Sequence, residues 1–429
     1  MALILLPVVV AYAILYREMS PIPLLDDYDA IFAFLLHQQQ LSSLGGKLLY
    51  IVEAQHVAYK LIFEHLVLYV QFLFIKRVSL VFLIVFGNFF LAVLLAIYWK
   101  AYFADEKDLT RRLILFLPVS YLLFSLNFAE TVDWAMAGLQ NLPVIFFSFA
   151  AIFFLTRSGR RGFGRACFCS ALACMSSANG FLLAPIGLFV LLAERNYRRT
   201  IVWSGTFGIV LAMYLYHYVR GTAVPAASVH VKGIFLLSFL GAGVENMHHH
   251  PIKDASVALG MMILLTFCHA IYTRYDRDHP FAFLSAAWIL LTAILVADIR
   301  SSFGAEQSLS GRYKIYCNLL LIFCYGYAVH RLKGYWPKQR WLRLYALTLV
   351  AVIGFNVASD IAGFKFLVRR RKLLDAGMKL YLADPANNSP VLNPNDAPLK
   401  EMGDWPEFAR IQMNHAIERK IYVLPQGRF

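Results

Sequence analysis

Mostly apolar, uncharged residues fill long segments along this chain, such as Val78 to Trp99 and Phe281 to Val296. Many of these segments approach the roughly 20 residues that a helix needs to cross about 30 Å of hydrocarbon. A membrane β-barrel would instead show ~10-residue stretches that alternate apolar and polar side chains. The pattern predicts an all-α integral membrane protein with about 11 transmembrane helices. They are expected near residues 2–17, 78–99, 112–127, 140–156, 166–177, 179–193, 201–219, 255–273, 281–298, 313–330 and 344–362.

Basic residues predict the orientation of these helices. Short basic connections recur at every second loop, and cytoplasmic loops of membrane proteins carry such an excess of Lys and Arg. They are Lys100–Arg112, Arg157–Arg165, Arg195–Arg199, Arg274–Arg277 and Arg331–Arg343. The N-terminus is then cytoplasmic, and the net charge of +14 indicates orientation rather than a nucleic-acid partner. We therefore expect a multi-pass protein of a cell inner membrane.

The alternate loops are expected on the non-cytoplasmic, periplasmic or extracellular face. The transmembrane domain then covers residues 1–362, and residues 363–429 form a small, loop-rich C-terminal segment on that face, with a helix over Pro406–Lys420. The basic run Arg369–Lys372 would favour the cytoplasm, but long tails cross the membrane largely regardless of charge. The predicted outer loops are 18–77, 128–139, 176–180, 220–254 and 299–312.

The first outer loop, residues 18–77, carries an amphipathic stretch from Leu48 to Phe74. Ionisable side chains recur there every three or four residues, which would place them on one face of a helix. The expected face consists of Glu53, His56, Lys60 and Glu64. Because such a helix lies in the membrane interface rather than across it, we predict interfacial juxtamembrane helices in this loop.

Three carboxylates stand within four residues near the start of that loop, on Asp26, Asp27 and Asp29. Neighbouring carboxylates repel one another, which raises the pKa of one of them toward the range useful for a general base. They can also hold a divalent cation. Asp29 precedes an apolar, helix-forming run and is expected mainly to cap that helix. Asp26 and Asp27 are therefore the candidate catalytic residues.

The motif Ser310-Gly311-Arg312-Tyr313 stands where an outer loop enters the tenth predicted span. A guanidinium at this depth can donate two hydrogen bonds to a lipid phosphate, although an Arg-Tyr pair is equally typical of an interface anchor. Arg312 is the main candidate for binding a lipid phosphate. Lys60 and Arg300 are weaker candidates of the same kind.

The segment from Glu130 to Asn141 combines carboxylates, an indole and amides beside the bilayer. Such groups bind sugars through aromatic stacking and hydrogen bonds to hydroxyls, whereas a polar turn with an interfacial Trp is the alternative. This segment, the first loop and the tenth span supply the expected substrate-binding residues. They are Glu53, His56, Glu130, Asp133, Trp134, Gln140 and Tyr313.

Metal-binding patterns are weak in this sequence. His248–His250 with Glu245 lacks the spacing that would aim two histidines at one ion from a helix face. The six cysteines lie within or at the ends of apolar segments and are expected to be packed core residues. P-loop, dinucleotide-binding and serine-nucleophile motifs are missing from the sequence. A divalent cation at Asp26 and Asp27 is the one cofactor that the pattern suggests.

The order of these motifs resembles that of the polytopic GT-C glycosyltransferases, in particular bacterial membrane proteins that modify cell-surface polysaccharide. Asp26-Asp27 in the first large outer loop resembles the acidic signature of that class, and the interfacial helices resemble its juxtamembrane pair. The other segments that resemble one bacterial branch are Trp134 with Gly138-Leu139-Gln140, Ala178-Asn179-Gly180 with Pro185, Phe239-Leu240-Gly241, Ser310-Gly311-Arg312-Tyr313 and Ile421-Tyr422-Val423-Leu424-Pro425.

The resemblance implies transfer of a sugar from a polyprenyl-phosphate donor to an acceptor hydroxyl of a cell-envelope glycan or glycolipid. Asp26 or Asp27 would take the acceptor proton, while Arg312, together with Lys60, would stabilise the departing lipid phosphate. The alternatives are a transporter or flippase of a lipid-linked saccharide, and a polysaccharide polymerase or ligase. The expected partners are the bilayer, the lipid-linked donor and the acceptor, with no nucleic acid.

Overall fold

The computed structural model describes residues 1–157, 159–221, 226–245, 253–332, 339–391 and 404–424, and these residues form an all-helical protein, as predicted. A π-helical turn, Tyr28–Ala33, precedes the second helix. The helices are α1 (Ala2–Glu18), α2 (Phe34–Gln40), α3 (Leu44–Glu53), α4 (Ile62–Ile75), α5 (Leu80–Ala101), α6 (Leu109–Leu123), α7 (Ala129–Val132), α8 (Ala135–Leu155), α9 (Arg160–Ser176), α10 (Leu183–Ala193), α11 (Tyr197–Leu215), α12 (Val229–Leu240), α13 (Lys253–Tyr272), α14 (Tyr275–Asp278), α15 (Pro280–Arg300), α16 (Gly311–Leu332), α17 (Gln339–Ala383) and α18 (Trp405–Glu418).

Seven helical segments among the described residues are long and apolar enough to cross a membrane. A helix lies at every predicted span, but α1, α9 and α10 are short for a crossing, and α11 opens with a pair of arginines, Arg198 and Arg199. The predicted count of about 11 spans is therefore not confirmed. The chain is a helical membrane protein in which shorter apolar helices pack beside the candidate spans.

The longest helix, α17, runs unbroken for 45 residues. At about 1.5 Å per residue it is roughly 65–70 Å long, more than twice the ~30 Å thickness of the hydrocarbon core. The predicted loop-rich segment from residue 363 thus begins as a continuation of this helix, because no proline interrupts the sequence before Pro385. The helix predicted over Pro406–Lys420 is present as α18.

The predicted outer loop 220–254 contains a helix, α12, that the hydrophobic pattern did not indicate. Phe235 and Phe239 of α12 are fully buried, and the helix packs against α13 and α15. The backbones of α12 and α13 approach closely at Gly260, where a Cβ atom would lie 1.9 Å from the carbonyl oxygen of Leu237. This glycine therefore permits the short helix to fold into the bundle.

Four regions that are far apart in sequence lie together at one end of the helical bundle. We call this the loop end, and it comprises residues 19–61, 124–134, 216–221 and 300–312. Gln55 Nε2 donates a hydrogen bond to the Val219 carbonyl at 2.7 Å, and the Leu126 N–H donates to Asp360 Oδ1 at 2.9 Å. The first contact connects two loops that are far apart in sequence, and the second connects a loop to α17. The side of the membrane that the loop end faces stays a prediction.

The residues after α18 pack onto the first loop. The Ile421 carbonyl accepts a hydrogen bond from the Val78 N–H at 2.7 Å, and the Tyr422 hydroxyl donates to the Pro21 carbonyl at 3.0 Å. The Tyr422 ring also packs against Phe32, with 5.3 Å between the ring centroids. The C-terminal segment therefore lies at the loop end and braces the chain on either side of the acidic residues.

Replacing Tyr422 with Ala should destabilise the protein by about 2–5 kcal/mol, because it removes a buried ring and a hydrogen bond. Tyr422→Phe should cost only about 1 kcal/mol, since the ring stays. Thermal unfolding in detergent measures both effects. Tyr16→Ala is the control, because the Tyr16 side chain is 76% exposed. A midpoint equal to that of the wild type for Tyr422→Ala would contradict the bracing role.

Candidate functional site

Asp27 anchors the chain between α1 and the π-helical turn. Its Oδ2 accepts the Leu24 N–H at 2.8 Å. Its Oδ1 accepts the Trp134 Nε1–H at 3.2 Å and the Met136 N–H at 3.1 Å. Hydrogen bonds to a carboxylate are stronger than those between neutral groups. Asp27 therefore joins the first loop to the start of α8, and Trp134 is a donor in that junction.

The environment of Asp27 differs from that of Asp26. Burial raises the pKa of Asp27 to about 7, against the lowering effect of the hydrogen bonds from Leu24, Met136 and Trp134. Both of its oxygens face protein donors, whereas the Asp26 side chain is 35% exposed. Of the two predicted catalytic residues, Asp26 thus has the accessible carboxylate, and Asp27 is built into the fold.

His56 lies between the other two carboxylates of the first loop. Its Nδ1 is 2.5 Å from Asp29 Oδ2, and its Nε2 is 3.8 Å from Asp26 Oδ2. The expectation that Asp29 mainly caps a helix is wrong, because the chain is already helical from Tyr28 and the Asp29 side chain turns to His56 instead. Asp26, His56 and Asp29 form a group that we call the acidic clamp.

The predicted continuous helical face of ionisable residues is interrupted. Helix α3 ends at Glu53 and α4 begins at Ile62, so Glu53, His56 and Lys60 do not share one helix. In the intervening turn, His56 and Tyr59 exchange main-chain hydrogen bonds of 2.9 and 3.0 Å. These bonds satisfy polar groups that the break in the helix would leave unpaired.

Lys60 is fully buried, and its position differs from that expected for a phosphate ligand. Its Nζ donates to the Val52 carbonyl at 2.8 Å and also to the Tyr216 carbonyl. The ammonium thus ties the first loop to the end of α11. Glu53 lies on the same side of the loop, where its Oε1 is 3.1 Å from Nδ1 of His217.

Tyr59 lies within electrostatic range of both the acidic clamp and the arginines Arg312 and Arg300. Burial raises the pKa of the Tyr59 hydroxyl, and the negative charges of Asp26 and Glu64 raise it further. The positive charges of Arg312 and Arg300 act on the same hydroxyl and lower its pKa. Asp26 and Arg312, which are 286 positions apart in the sequence, therefore lie within electrostatic range of one phenol.

Arg312 stands at the start of α16 and is half-buried. Its Nε donates to Ser310 Oγ at 3.3 Å, and its guanidinium lies 5.9 Å from the centroid of the Tyr313 ring. Tyr313 itself is buried against Phe239, with 4.9 Å between ring centroids. The hydrogen bond to Ser310 uses only Nε, so the two terminal nitrogens of the guanidinium can still donate hydrogen bonds to a phosphate.

Glu130 connects the third motif to the arginine motif. Its Oε2 accepts the Gly311 N–H at 2.8 Å, and its main-chain carbonyl accepts a hydrogen bond from Arg370 Nη1 at 3.0 Å. Asp133 is buried and interacts electrostatically with Arg370. Gln140 lies further along, half-buried in the second turn of α8. Glu130 and Asp133 therefore support the start of α16 and contact α17 at Arg370.

Two charged residues that the sequence interpretation left out of the site belong to this region. Arg370 is buried beside Glu130, although it stands in the basic run Arg369–Lys372 that was expected to be a charge signal. Glu64 is buried in the first turn of α4, and its carboxylate oxygens have no hydrogen-bond partner among the described residues. Four consecutive basic residues do not indicate which one turns inward, so no local signal distinguishes Arg370.

Metal binding is not indicated by the part of the chain that the structure describes, where no group of three or more His, Cys, Asp or Glu residues could hold an ion. His248–His250 lie outside the described residues, as does Pro425. Glu245 forms a buried ion pair with Lys314. The divalent cation at Asp26 and Asp27 stays a prediction.

Comparison with known protein families, curated proteins and solved structures finds no match to this chain. The fold and the contacts at the loop end define a helical membrane protein with a charged, partly buried site at one end. The resemblance of its motifs to GT-C glycosyltransferases therefore enters only as part of the proposal below.

Proposed function

We propose that this protein is a glycosyltransferase that moves a sugar from a polyprenyl-phosphate donor to an acceptor hydroxyl of a cell-envelope glycan or glycolipid. One observation carries the proposal. An accessible carboxylate, Asp26, and two guanidinium groups, Arg312 and Arg300, act on the same Tyr59 hydroxyl at the loop end of a membrane-embedded bundle. A base and cations within electrostatic range of one group are what a single displacement at a lipid-linked sugar phosphate requires.

In the proposed step the Asp26 carboxylate takes the proton of the acceptor hydroxyl. The acceptor oxygen then bonds to the anomeric carbon while the bond from that carbon to the phosphate oxygen breaks. The electron pair leaves with the lipid phosphate, whose developing charge Arg312 and Arg300 stabilise. Because the step is one displacement, the anomeric configuration inverts, and neither a nucleotide-binding loop nor a covalent nucleophile is needed.

The geometry supports a division of roles within the site. Asp27 and Trp134 hold the first loop against α8 through the 3.2 Å hydrogen bond between them, and Glu130 fixes the start of α16 through its 2.8 Å bond to the Gly311 N–H. Lys60, which donates to two main-chain carbonyls, has no part in phosphate binding in this proposal. Arg300 takes the place that the sequence interpretation had given to Lys60.

The proposal predicts that Arg312→Ala lowers the transfer rate by about 10²–10³-fold, the typical loss when one donor to a developing anion is removed. Arg312→Lys should retain part of the activity, since an ammonium keeps the positive charge but cannot donate the two parallel hydrogen bonds of a guanidinium. The assay follows release of polyprenyl phosphate from a panel of short-chain polyprenyl-phosphate sugars, with protein in nanodiscs and membrane-derived glycans as acceptors.

Arg277→Ala is the matched control, because Arg277 is exposed in the short helix α14, in a connection of the opposite predicted orientation. Wild-type activity in Arg312→Ala would remove the arginine from the mechanism. If folded wild-type protein transfers sugar from no member of the panel, the glycosyltransferase proposal fails. Movement of the lipid-linked sugar across vesicles without an acceptor would support the transporter alternative instead.

A further inference from the structure

The acidic clamp contains a histidine that the proposed reaction does not use. His56 is buried, and both of its ring nitrogens face carboxylates, Asp29 Oδ2 at 2.5 Å and Asp26 Oδ2 at 3.8 Å. A neutral imidazole offers one N–H donor and one acceptor, whereas the protonated ring offers two donors. Two facing carboxylates are therefore matched by the charged form of His56.

The main chain that carries His56 is held in place from several directions. The His56 and Tyr59 backbones are paired, and the two rings contact edge to face with 5.3 Å between centroids. The Tyr218 hydroxyl donates to the Ala58 carbonyl at 2.7 Å, and Gln55 exchanges hydrogen bonds of 2.7 and 3.0 Å with the Val219 main chain. The imidazole is thus presented by a fixed turn rather than by a mobile loop.

The two contacts of the ring differ in kind. The 2.5 Å contact with Asp29 is a short hydrogen bond, and it orients the ring. The 3.8 Å contact with Asp26 is too long for a hydrogen bond and is an ion pair across a gap. Asp26 is therefore held by charge while its oxygens keep their lone pairs, and 35% of its side chain stays exposed.

We propose that His56 is a positioning residue, an imidazolium that Asp29 orients and that holds the Asp26 carboxylate aimed at the acceptor hydroxyl. This inference rests on the proposed function, because it gives Asp26 the role of the base. An imidazolium has no lone pair to accept the acceptor proton, so His56 acts through Asp26 and does not replace it.

The charge state of His56 agrees with this role. Burial alone would lower its pKa, but the carboxylates of Asp26 and Asp29 raise it to about 9, against an ordinary value of 6.5. The titratable groups that face the ring are those two carboxylates, the Tyr59 hydroxyl and His65 of α4, whose own pKa is lowered first by burial and then by His56. Glu64 of α4 interacts electrostatically with Asp27 and Asp26.

The test is the pH dependence of the transfer rate, measured in nanodiscs with the same donor panel. In the wild type, kcat should fall as the pH rises through about 9, where His56 loses its charge. We call this fall in kcat the alkaline limb of the pH profile. In Asp29→Asn it should move to lower pH by roughly 1–3 units, because His56 loses one of its two neighbouring negative charges. In His56→Asn the limb should disappear and kcat should drop about 10- to 100-fold at an unchanged KM.

A second measurement does not depend on activity. Since the folded-state pKa of His56 lies above its ordinary value of 6.5, the clamp contributes its full stability below about pH 6.5 and loses it as the pH rises through about 9. Thermal midpoints of the wild type should therefore fall across this range more than those of His56→Asn. His415→Gln, a change on the exposed face of α18, is the control for both measurements.

The outcomes separate the two proposals. An alkaline limb that stays in place in Asp29→Asn, or wild-type activity in His56→Asn, overturns the positioning role while sugar transfer itself stands. Folded wild-type protein that transfers no sugar overturns the proposed function, and the role of His56 with it.

Discussion

Asp26→Asn should lower the sugar-transfer rate by about 10²–10⁴-fold, the range that a general base contributes. Asparagine keeps the size of the side chain but cannot accept the proton of the acceptor hydroxyl. Asp26 is partly exposed, and its contact with His56 is an ion pair at 3.8 Å. The change should therefore alter the free energy of unfolding by no more than about 1 kcal/mol. Kinetics in nanodiscs and thermal unfolding measure the two effects.

Binding of polyprenyl phosphate should be unchanged in Asp26→Asn, because the lipid phosphate meets Arg312 and Arg300 in the proposed site. Asp278→Asn, an exposed position at the end of α14, is the matched control and should transfer sugar at the wild-type rate. Full transfer activity in Asp26→Asn would exclude Asp26 as the base.

Asp27→Ala should show the opposite behaviour, with a large loss of stability. The change leaves the Leu24 N–H, the Met136 N–H and the Trp134 indole N–H without their acceptor. A buried donor without a partner costs about 1–3 kcal/mol, so a total loss of roughly 3–5 kcal/mol is expected. Thermal unfolding in detergent and the yield of monodisperse protein measure it.

Asp27→Asn is the informative companion variant. Its Oδ1 can still accept from Trp134 and Met136, whereas its amide group meets the Leu24 N–H donor to donor, so the destabilisation should be smaller than in Asp27→Ala. If Asp27→Ala is as stable as the wild type but inactive, the assignment of the two aspartates is reversed and Asp27 is the base.

The amount of the site that the sequence could predict differs from residue to residue. The acidic residues, Glu130, Trp134 and Arg312 were singled out because polar groups beside long apolar segments are costly unless they are used. All of them lie at the loop end. The roles within this set were less accessible, since Asp26 and Asp27 are adjacent carboxylates with the same local pattern.

Particular errors have identifiable causes. Lys60 has the spacing of an interfacial helix residue, but the helix breaks before it and the ammonium satisfies carbonyls of Val52 and Tyr216. Asp29 has the position of a helix cap, but a π-helical turn begins one residue earlier. In both cases a contact with a distant segment outweighs the local preference.

The amino-acid sequence by itself determined that this is an all-helical protein with apolar helices long enough to cross a membrane. Main-chain groups in hydrocarbon must be paired within a helix. Only the tertiary structure decided that the Asp26 carboxylate is solvent-accessible, that Asp27 and Lys60 are hydrogen-bonded to protein groups, and that the Arg370 side chain is buried. Those outcomes depend on which buried donor meets which acceptor across the chain, as Trp134 meets Asp27, and no local pattern contains that information.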